Sequence, residues 1–368
     1  MTESLTLACT LCGTQYPLDT REWQCPCGGL FDLKPWPAFD AQRIDRAQQG
    51  LWRYRALLPL DLTWEPVTLG EGGTPLVPID WAGRTVQLKI ESQEPTGSFK
   101  DRGAAVLVTA LRGLGIARLV DDSSGNAGAS LAAYAARAGL ACDVCVPSQV
   151  VAPKLAQMAA HGAEVIQIKG RREYSALAAW AAAAHGAYYA SHLYHPHFLA
   201  GVETMAYELW EQLGRRAPGV LIAPIGNGTL LLALYRGFRR LMEAHLVEDN
   251  PRLVGVQAQA CAPLYEAFAQ DRTDVEAVRP EPTMATGVAI ANPARGSQIL
   301  AAVRASGGSI VAVTEEEIRT AQDALARRGF FVEPTAAVAL AGMNRLAPDS
   351  LGNGTIVVPL TGHGLKTA

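Results

Sequence analysis

From residue 100 onward the chain alternates short apolar runs with longer helical stretches, and this alternation constrains the fold more than any other feature. Leu119-Val120-Asp121-Asp122, Asp143-Val144-Cys145-Val146-Pro147 and Val165-Ile166-Gln167-Ile168 read as strands. So do residues 220–224, 253–258, 309–313 and Thr355-Ile356-Val357-Val358-Pro359. Helical patterns separate them at 103–113, 126–138, 153–161, a stretch ending at His185, 200–213, 230–246, 314–328 and 335–346. The strand runs are apolar without alternation, which suits strands buried on both faces. Strand and helix in repeated succession predict an α/β architecture of parallel sheets with right-handed crossovers.

The chain has 368 residues, enough for two lobes with full cores. Its first 35 residues differ from the rest: they are punctuated by Cys and Gly and end at Lys34-Pro35-Trp36-Pro37. Residues 38–66 read as a helical and extended lead-in. Net charge is −3 with scattered basic residues, which argues against a nucleic-acid or anionic-membrane surface. No apolar run reaches membrane-spanning length, and no basic-then-apolar signal segment opens the chain, so a cytoplasmic location is expected. Four of the seven cysteines lie within the first 27 residues, a clustering that points to metal in a reducing compartment. Cys142, Cys145 and Cys261 sit in apolar stretches and read as core.

Four segments carry chemistry. In Pro95-Thr96-Gly97-Ser98-Phe99-Lys100-Asp101-Arg102-Gly103 a lysine follows small residues at a loop-to-helix junction, where it can approach a planar carbonyl cofactor. Ser123-Ser124-Gly125-Asn126-Ala127-Gly128 lies between a strand and a helix, where free backbone N–H groups receive a carboxylate or phosphate. Pro224-Ile225-Gly226-Asn227-Gly228-Thr229 repeats that placement without the downstream pattern of a dinucleotide fingerprint or P-loop. Leu360-Thr361-Gly362-His363-Gly364 follows the last strand, and its hydroxyl suits a ring nitrogen. Taken singly, each also suits a bland role: a surface lysine, an N-cap, a tight turn, a structural histidine.

Together and in this order, the four segments resemble the fold-type II pyridoxal-phosphate (PLP) enzymes, the tryptophan-synthase-β-like group, and within it the threonine synthases. Gly70-Glu71-Gly72-Gly73-Thr74-Pro75-Leu76, Glu333-Pro334 and the C-terminal Leu360-Thr361-Gly362-His363-Gly364-Leu365-Lys366 extend the likeness from about Leu69 to Lys366. The resemblance implies a two-lobed enzyme, with 36–100 and 200–368 as the large PLP-binding lobe and 101–199 as the small lobe. It implies that Lys100 holds PLP as a Schiff base and later moves protons. Asn126 would contact the 3′-oxygen, Gly226, Asn227, Gly228 and Thr229 the phosphate, and Thr361 the pyridine nitrogen. Ser123, Ser124 and Ala127 would lie at the substrate carboxylate. The implied activity is elimination or replacement at an amino-acid side chain, giving threonine from O-phosphohomoserine if the phosphate pocket functions. A small amino-acid substrate and a homodimer go with it. Two other readings stand beside it: a serine/threonine ammonia-lyase type of enzyme on an unphosphorylated amino acid, and a PLP-binding protein without turnover.

The sequence departs from the threonine-synthase pattern where the substrate phosphate is gripped. An Asn-Ser-x-Asn-Pro-x-Arg segment corresponds here to His192-Leu193-Tyr194-His195-Pro196-His197-Phe198, so Phe198 replaces an arginine. Ala289 stands where a second arginine is usual, and Glu203 in Gly201-Val202-Glu203-Thr204 replaces a lysine. A buried phosphate wants such cations. The histidines at 192, 195 and 197 are expected to restore part of the charge, and Glu203 to meet an amine or hydroxyl of the substrate. The leader, Cys9-x2-Cys12-x12-Cys25-x-Cys27, resembles a zinc-ribbon knuckle whose thiolates suit tetrahedral zinc, although Cys-Pro-Cys strains simultaneous ligation.

Overall fold

A computed structural model describes residues 5–148, 152–170 and 172–367. The chain divides into two compact units. The first holds residues up to Gly72, Glu94–Thr96 and Lys100–Val202; the second holds Gly73–Gln93, Gly97–Phe99 and Glu203–Ala368. Residues 36–72 thus group with the 101–199 segment, not with the C-terminal half. The reason is local: Val67 donates its N–H to the Thr109 hydroxyl at 2.9 Å, and Tyr134 donates to the Glu71 carboxylate at 2.8 Å.

The leader is an antiparallel sheet of β1 (Thr6–Cys9), β2 (Gln15–Pro17) and β3 (Phe31–Lys34), in order β2-β1-β3. Leu7, Phe31 and Leu33 form its small core with Cys9 and Cys25. Residues 38–66 make only short 3₁₀ turns, at Ala41–Arg43 and Leu51–Leu57. The hairpin β4 (Leu76–Trp81) and β5 (Arg84–Lys89) then opens the second unit.

In the first unit follow α1 (Lys100–Gly113), β6 (Arg118–Asp121), α2 (Asn126–Ala138), β7 (Ala141–Pro147), α3 (Ala152–Ala160), β8 (Glu164–Ile168), α4 (Arg172–Ala184) and β9 (Tyr188–Tyr189). Their sheet is parallel, in order β8-β7-β6-β9. Along β6, Val120 joins Cys145, Ala179 and Tyr189 in a core cluster, so Leu119 and Asp121 point to the opposite face. α2 ends at Gly139 in the left-handed region (φ 71°), whose N–H returns to the last turn.

The division between the units falls within α5 (Pro196–Gln212). Beyond it come β10 (Val220–Pro224), α6 (Thr229–Glu243), β11 (Arg252–Ala258), α7 (Pro263–Ala269), α8 (Gly296–Ala305), β12 (Ser309–Val313), α9 (Glu315–Ala326), α10 (Pro334–Met343) and β13 (Ile356–Pro359). The sheet order is β12-β11-β10-β13-β5-β4, parallel except for the β4–β5 hairpin. Every residue of β10 and β13 is buried, as expected of central parallel strands. α10 is apolar on all sides and nearly all of it is buried, because it packs over β10, β11 and β12 while α9 covers it. Thr314 and Glu317 close the start of α9 with a reciprocal capping box.

Candidate active site

In the first unit the expected residues gather at the carboxyl edge of the parallel sheet, where open α/β sheets bind ligands. Lys100 and Asn126 are the first residues of α1 and α2, two helices packed on one another. Asp101 locks these starts together: its carboxylate accepts from the Thr96 N–H at 2.6 Å, the Thr96 hydroxyl at 2.5 Å and Ser130 Oγ at 2.6 Å. Lys100 Nζ stands 5.5 Å from the centroid of the buried Phe198 ring. Phe198 in turn requires glycine at 103, where a Cβ would meet the ring at 2.5 Å. The Ser123–Asn126 loop folds back onto α2 so closely that a Cβ on Gly128 would meet the Ser123 carbonyl oxygen at 2.0 Å. Ser123 and Ala127 are buried and Ser124 half-buried. Gly125 precedes α2 without a side-chain cap, which leaves first-turn N–H groups for an anion.

In the second unit the Gly226–Thr229 turn joins β10 to α6. Gly228 takes φ 70°, and a Cβ there would strike Ile299 Cδ1 at 2.1 Å; a Cβ on Gly226 would meet the Gly287 carbonyl oxygen at 2.6 Å. Only glycine lets this backbone take its path, and α6 begins without a side-chain cap. The turn therefore offers main-chain N–H groups at the positive end of a 15-residue helix. Thr361 follows β13 and is pinned by its neighbours. Its carbonyl accepts from the Phe99 N–H at 3.2 Å, and the Gly362 carbonyl accepts from the Glu333 N–H at 3.0 Å. The Thr361 hydroxyl is buried and has no hydrogen-bond partner among the described residues. A buried orphan hydroxyl is costly and calls for a partner. A glycine cradle on an uncapped helix and a waiting hydroxyl fit the phosphate and ring nitrogen of PLP.

The structure corrects the roles expected of His195, His197 and Glu203. His195 and His197 are buried, with Nδ1 atoms 2.9 Å apart, and burial holds His197 down at about 4 and His195 well below the usual histidine range. Both are neutral at neutral pH and carry no charge to offer. Glu203 is fully buried and pairs with Arg240 at 2.7 Å while accepting from the Tyr207 hydroxyl. Its commitment is to the core between α5 and α6, not to a ligand. Ala289 ends a 3₁₀ turn at Thr286–Val288.

Several side chains that position these loops were not singled out from the sequence. Glu71, in the glycine-rich landmark, accepts from Trp52 Nε1 at 2.5 Å, the Leu69 N–H at 2.9 Å and the Tyr134 hydroxyl. Glu94 accepts from the Gly72 N–H at 3.0 Å and pairs with Arg102 at 3.1 Å. In the second unit the buried Lys89 donates to the Thr74 carbonyl at 2.6 Å and pairs with Glu208. Asp121 is a buried acid at the very end of β6. The only sequence signal for it was a pair of acids closing an otherwise apolar run. In the leader, the four cysteine sulfurs lie within 4.8 Å of one another. Trp23 docks the leader on the first unit through edge contacts with Tyr189 (4.8 Å) and Tyr194 (5.3 Å).

Residues 67–362 match the family model of the pyridoxal-phosphate dependent enzymes. The chain is 36% identical over 372 aligned positions to a threonine synthase of Methanocaldococcus jannaschii, covering 97% of this chain and 92% of that one. A Mycobacterium tuberculosis threonine synthase is 37% identical over 342 positions, covering 90% and 89%. Among solved structures, a T.th. threonine deaminase superposes with a TM-score of 0.66 at 28% identity, over 79% of this chain and 92% of that chain. No described helix is long and apolar enough to cross a membrane. On that family match and those full-length relatives, the chain belongs to the pyridoxal-phosphate dependent enzymes, as a threonine-synthase-like lyase.

Proposed function

We propose that Lys100 holds PLP covalently and that the enzyme performs elimination and replacement at the side chain of a small amino acid, with threonine formation from O-phosphohomoserine as the first reaction to test. The observation that carries the reading is the Gly226–Thr229 turn, whose glycines admit no Cβ and whose helix starts uncapped. When bound, PLP supplies an electron sink for bonds at the substrate α-carbon. This chain's residues do the rest. Gly226, Asn227, Gly228 and Thr229 hold the phosphate, and Thr361 donates to or accepts from the ring nitrogen without a full charge. Asn126 orients the ring through its 3′-oxygen, and Ser123, Ser124 and Ala127 receive the substrate carboxylate at the start of α2. With the cofactor bound, Lys100 Nζ would take the α-proton of the substrate, and the Phe198 ring 5.5 Å from it would help exclude water. Borohydride reduction followed by peptide mapping tests this: the adduct is expected on Lys100, and an adduct on another lysine refutes it. Lys100→Ala is expected to lose turnover and the visible cofactor band.

A second reading, an unphosphorylated substrate, is favoured by one specific observation. Of the positions expected to grip the substrate phosphate, Phe198 is apolar, Glu203 is committed to Arg240, and His195 and His197 are neutral. Loss of two charged hydrogen-bonding partners costs about 3–6 kcal/mol, or roughly two to four orders of magnitude in affinity. Comparing kcat/KM for O-phosphohomoserine with that for serine, threonine, homoserine and O-acetylated analogues separates the two readings. Release of a keto acid without phosphate marks the ammonia-lyase type.

The leader is read as a structural zinc site of Cys9, Cys12, Cys25 and Cys27. Sulfurs 3.4 Å apart in Cys9–Cys27 and 3.6 Å apart in Cys12–Cys25 are near the ~3.8 Å edge of a tetrahedron with Zn–S bonds of about 2.3 Å. A cytoplasmic homodimer completes the reading, and light scattering of the purified enzyme checks the dimer.

A further inference from the structure

We propose that Tyr189 is a positioning residue for the Ser123–Ser124 loop and that Trp23 of the leader holds Tyr189 in place, so that the Cys-rich leader acts on substrate binding; this rests on Ser123 and Ser124 receiving the substrate carboxylate. Every group in the chain of contacts lies in the first unit. β9 pairs with β6 so that Tyr189 stands beside Val120, two residues before Asp122. Tyr189 is 2% exposed, and its hydroxyl donates to Asp122 Oδ1 at 2.7 Å. Asp122 is the residue at which the chain leaves β6, and Ser123 and Ser124 follow it directly. A short hydrogen bond to its carboxylate therefore fixes the direction in which the loop departs.

Tyr189 does not owe its place to its own strand. β9 is two residues long and sits at the edge of its sheet, with a ladder to β6 alone. The ring is held by what packs over it. Trp23 meets it edge-on at 4.8 Å with an interplanar angle of 77°, and Tyr194 lies 5.6 Å away. Trp23 also contacts Tyr194 at 5.3 Å and Trp180 at 6.0 Å, and it packs against the Val120–Cys145–Ala179–Tyr189 core cluster. Such edge contacts fix ring orientation as well as burying area. The segment that carries Trp23 is itself tied down on this unit: Arg21 donates to the Leu114 carbonyl at 2.6 Å, and the Tyr188 hydroxyl donates to the Glu22 carbonyl at 3.5 Å. A phenol hydroxyl lies at the far end of its ring, so a small swing of the ring takes it out of hydrogen-bond range. Without Trp23 the Tyr189 ring is free to swing, Asp122 turns to water, and the loop loses its fixed departure from β6.

The experiment uses the full-length holoenzyme as wild type, Tyr189→Phe, Trp23→Leu and the double variant. Hydrogen–deuterium exchange is read on peptides covering 121–128 and on peptides of the leader. Steady-state kinetics follow whichever of O-phosphohomoserine, serine or threonine the wild type turns over best. Tyr189→Phe keeps the ring against Trp23 and removes only the hydroxyl. It should speed exchange at 121–128 and raise KM, each by about tenfold, the size of one lost hydrogen bond of this kind, with kcat within about twofold and leader exchange unchanged. Trp23→Leu should reproduce the loop and KM effects, and the double variant should add little to either single one, because both act through the same bond. A packing role alone would lower stability without this split between KM and kcat. The proposal is overturned if exchange at 121–128 or KM stays at the wild-type value in folded Tyr189→Phe or Trp23→Leu, or if the two effects multiply in the double variant. Should Trp23→Leu not fold, Trp23→Phe, which keeps a smaller ring, enters the same comparison and should loosen the loop less than Tyr189→Phe does; a loop unchanged in it overturns the part given to the leader. Ser124→Ala is measured alongside. An unmoved KM there means that the carboxylate reading has failed, whereas a raised KM there beside an unmoved one in Tyr189→Phe means that the role given to Tyr189 has failed.

Discussion

Arg240→Met is the most informative test of how the region that departs from the threonine-synthase pattern is built. Arg240 is 5% exposed, lies on α6 and donates to Glu203 at 2.7 Å, while the Glu203 side chain on α5 is fully buried. Glu203 Oε2 already lacks a hydrogen-bond partner among the described residues, so Oε1 carries the whole interaction with Arg240 and the Tyr207 hydroxyl. Methionine fills the volume of the arginine stem but leaves a carboxylate buried with one phenol. Breaking a buried pair from one side costs about 3–5 kcal/mol, because the surviving charge has neither water nor partner. For a cooperative unit of this size each kcal/mol moves the melting temperature by about 2–4 °C, so a fall of roughly 6–20 °C is expected. The double variant Glu203→Gln with Arg240→Met removes both charges and should recover most of that loss. Calorimetry of the holoenzyme reads the stability, and steady-state kinetics on the same samples reads the site. KM should stay within about twofold for Glu203→Gln, since the carboxylate serves the core and not the substrate. The reasoning is refuted if Arg240→Met melts within about 2 °C of the wild type. A KM raised by about tenfold in a fully stable Glu203→Gln refutes it too.

The buried histidine pair makes a pH prediction with a definite sign. His195 and His197 have folded-state values below the ordinary histidine range, so the unfolded chain binds more protons in acid. Their contribution to stability is fully present above about pH 6.5 and is lost as pH falls toward about 4, at up to ~1.4 kcal/mol per pH unit for each. Urea unfolding across that range checks it, and kcat/KM should show no titration between about pH 6 and 7.5 that His197→Gln abolishes. Gly228→Ala is expected to lose cofactor occupancy, because the Cβ collides with Ile299 and the backbone at φ 70° resists it; normal binding by spectral titration would contradict this. Metal analysis of protein purified without chelator should find one zinc per chain. Cys12→Ser should lower the stability of the leader without changing PLP occupancy, and less than about a tenth of an equivalent with all four thiols titratable would reject the site.

The order of strands and helices, and so the parallel α/β class, was legible from residue 100 to the end, because strands buried on both faces must be apolar throughout while their crossover helices are not. α2 runs from Asn126 to Ala138 as its pattern predicts, and β10 and β12 match their expected spans. The motif glycines were equally legible, since a positive φ or a carbonyl within 3 Å of a Cβ admits no other residue at Gly228 or Gly226. What side chains do across the fold was not legible. Nothing in a one-dimensional string distinguishes a glutamate that meets a substrate from Glu203, which meets Arg240 thirty-seven positions away. Nor does the string show that two histidines are dry, and therefore neutral. Asp121 reads as one of two adjacent acids. Only the fold buries it at a strand end, because burial belongs to neighbours in space, and those are set by how β6 packs within its sheet.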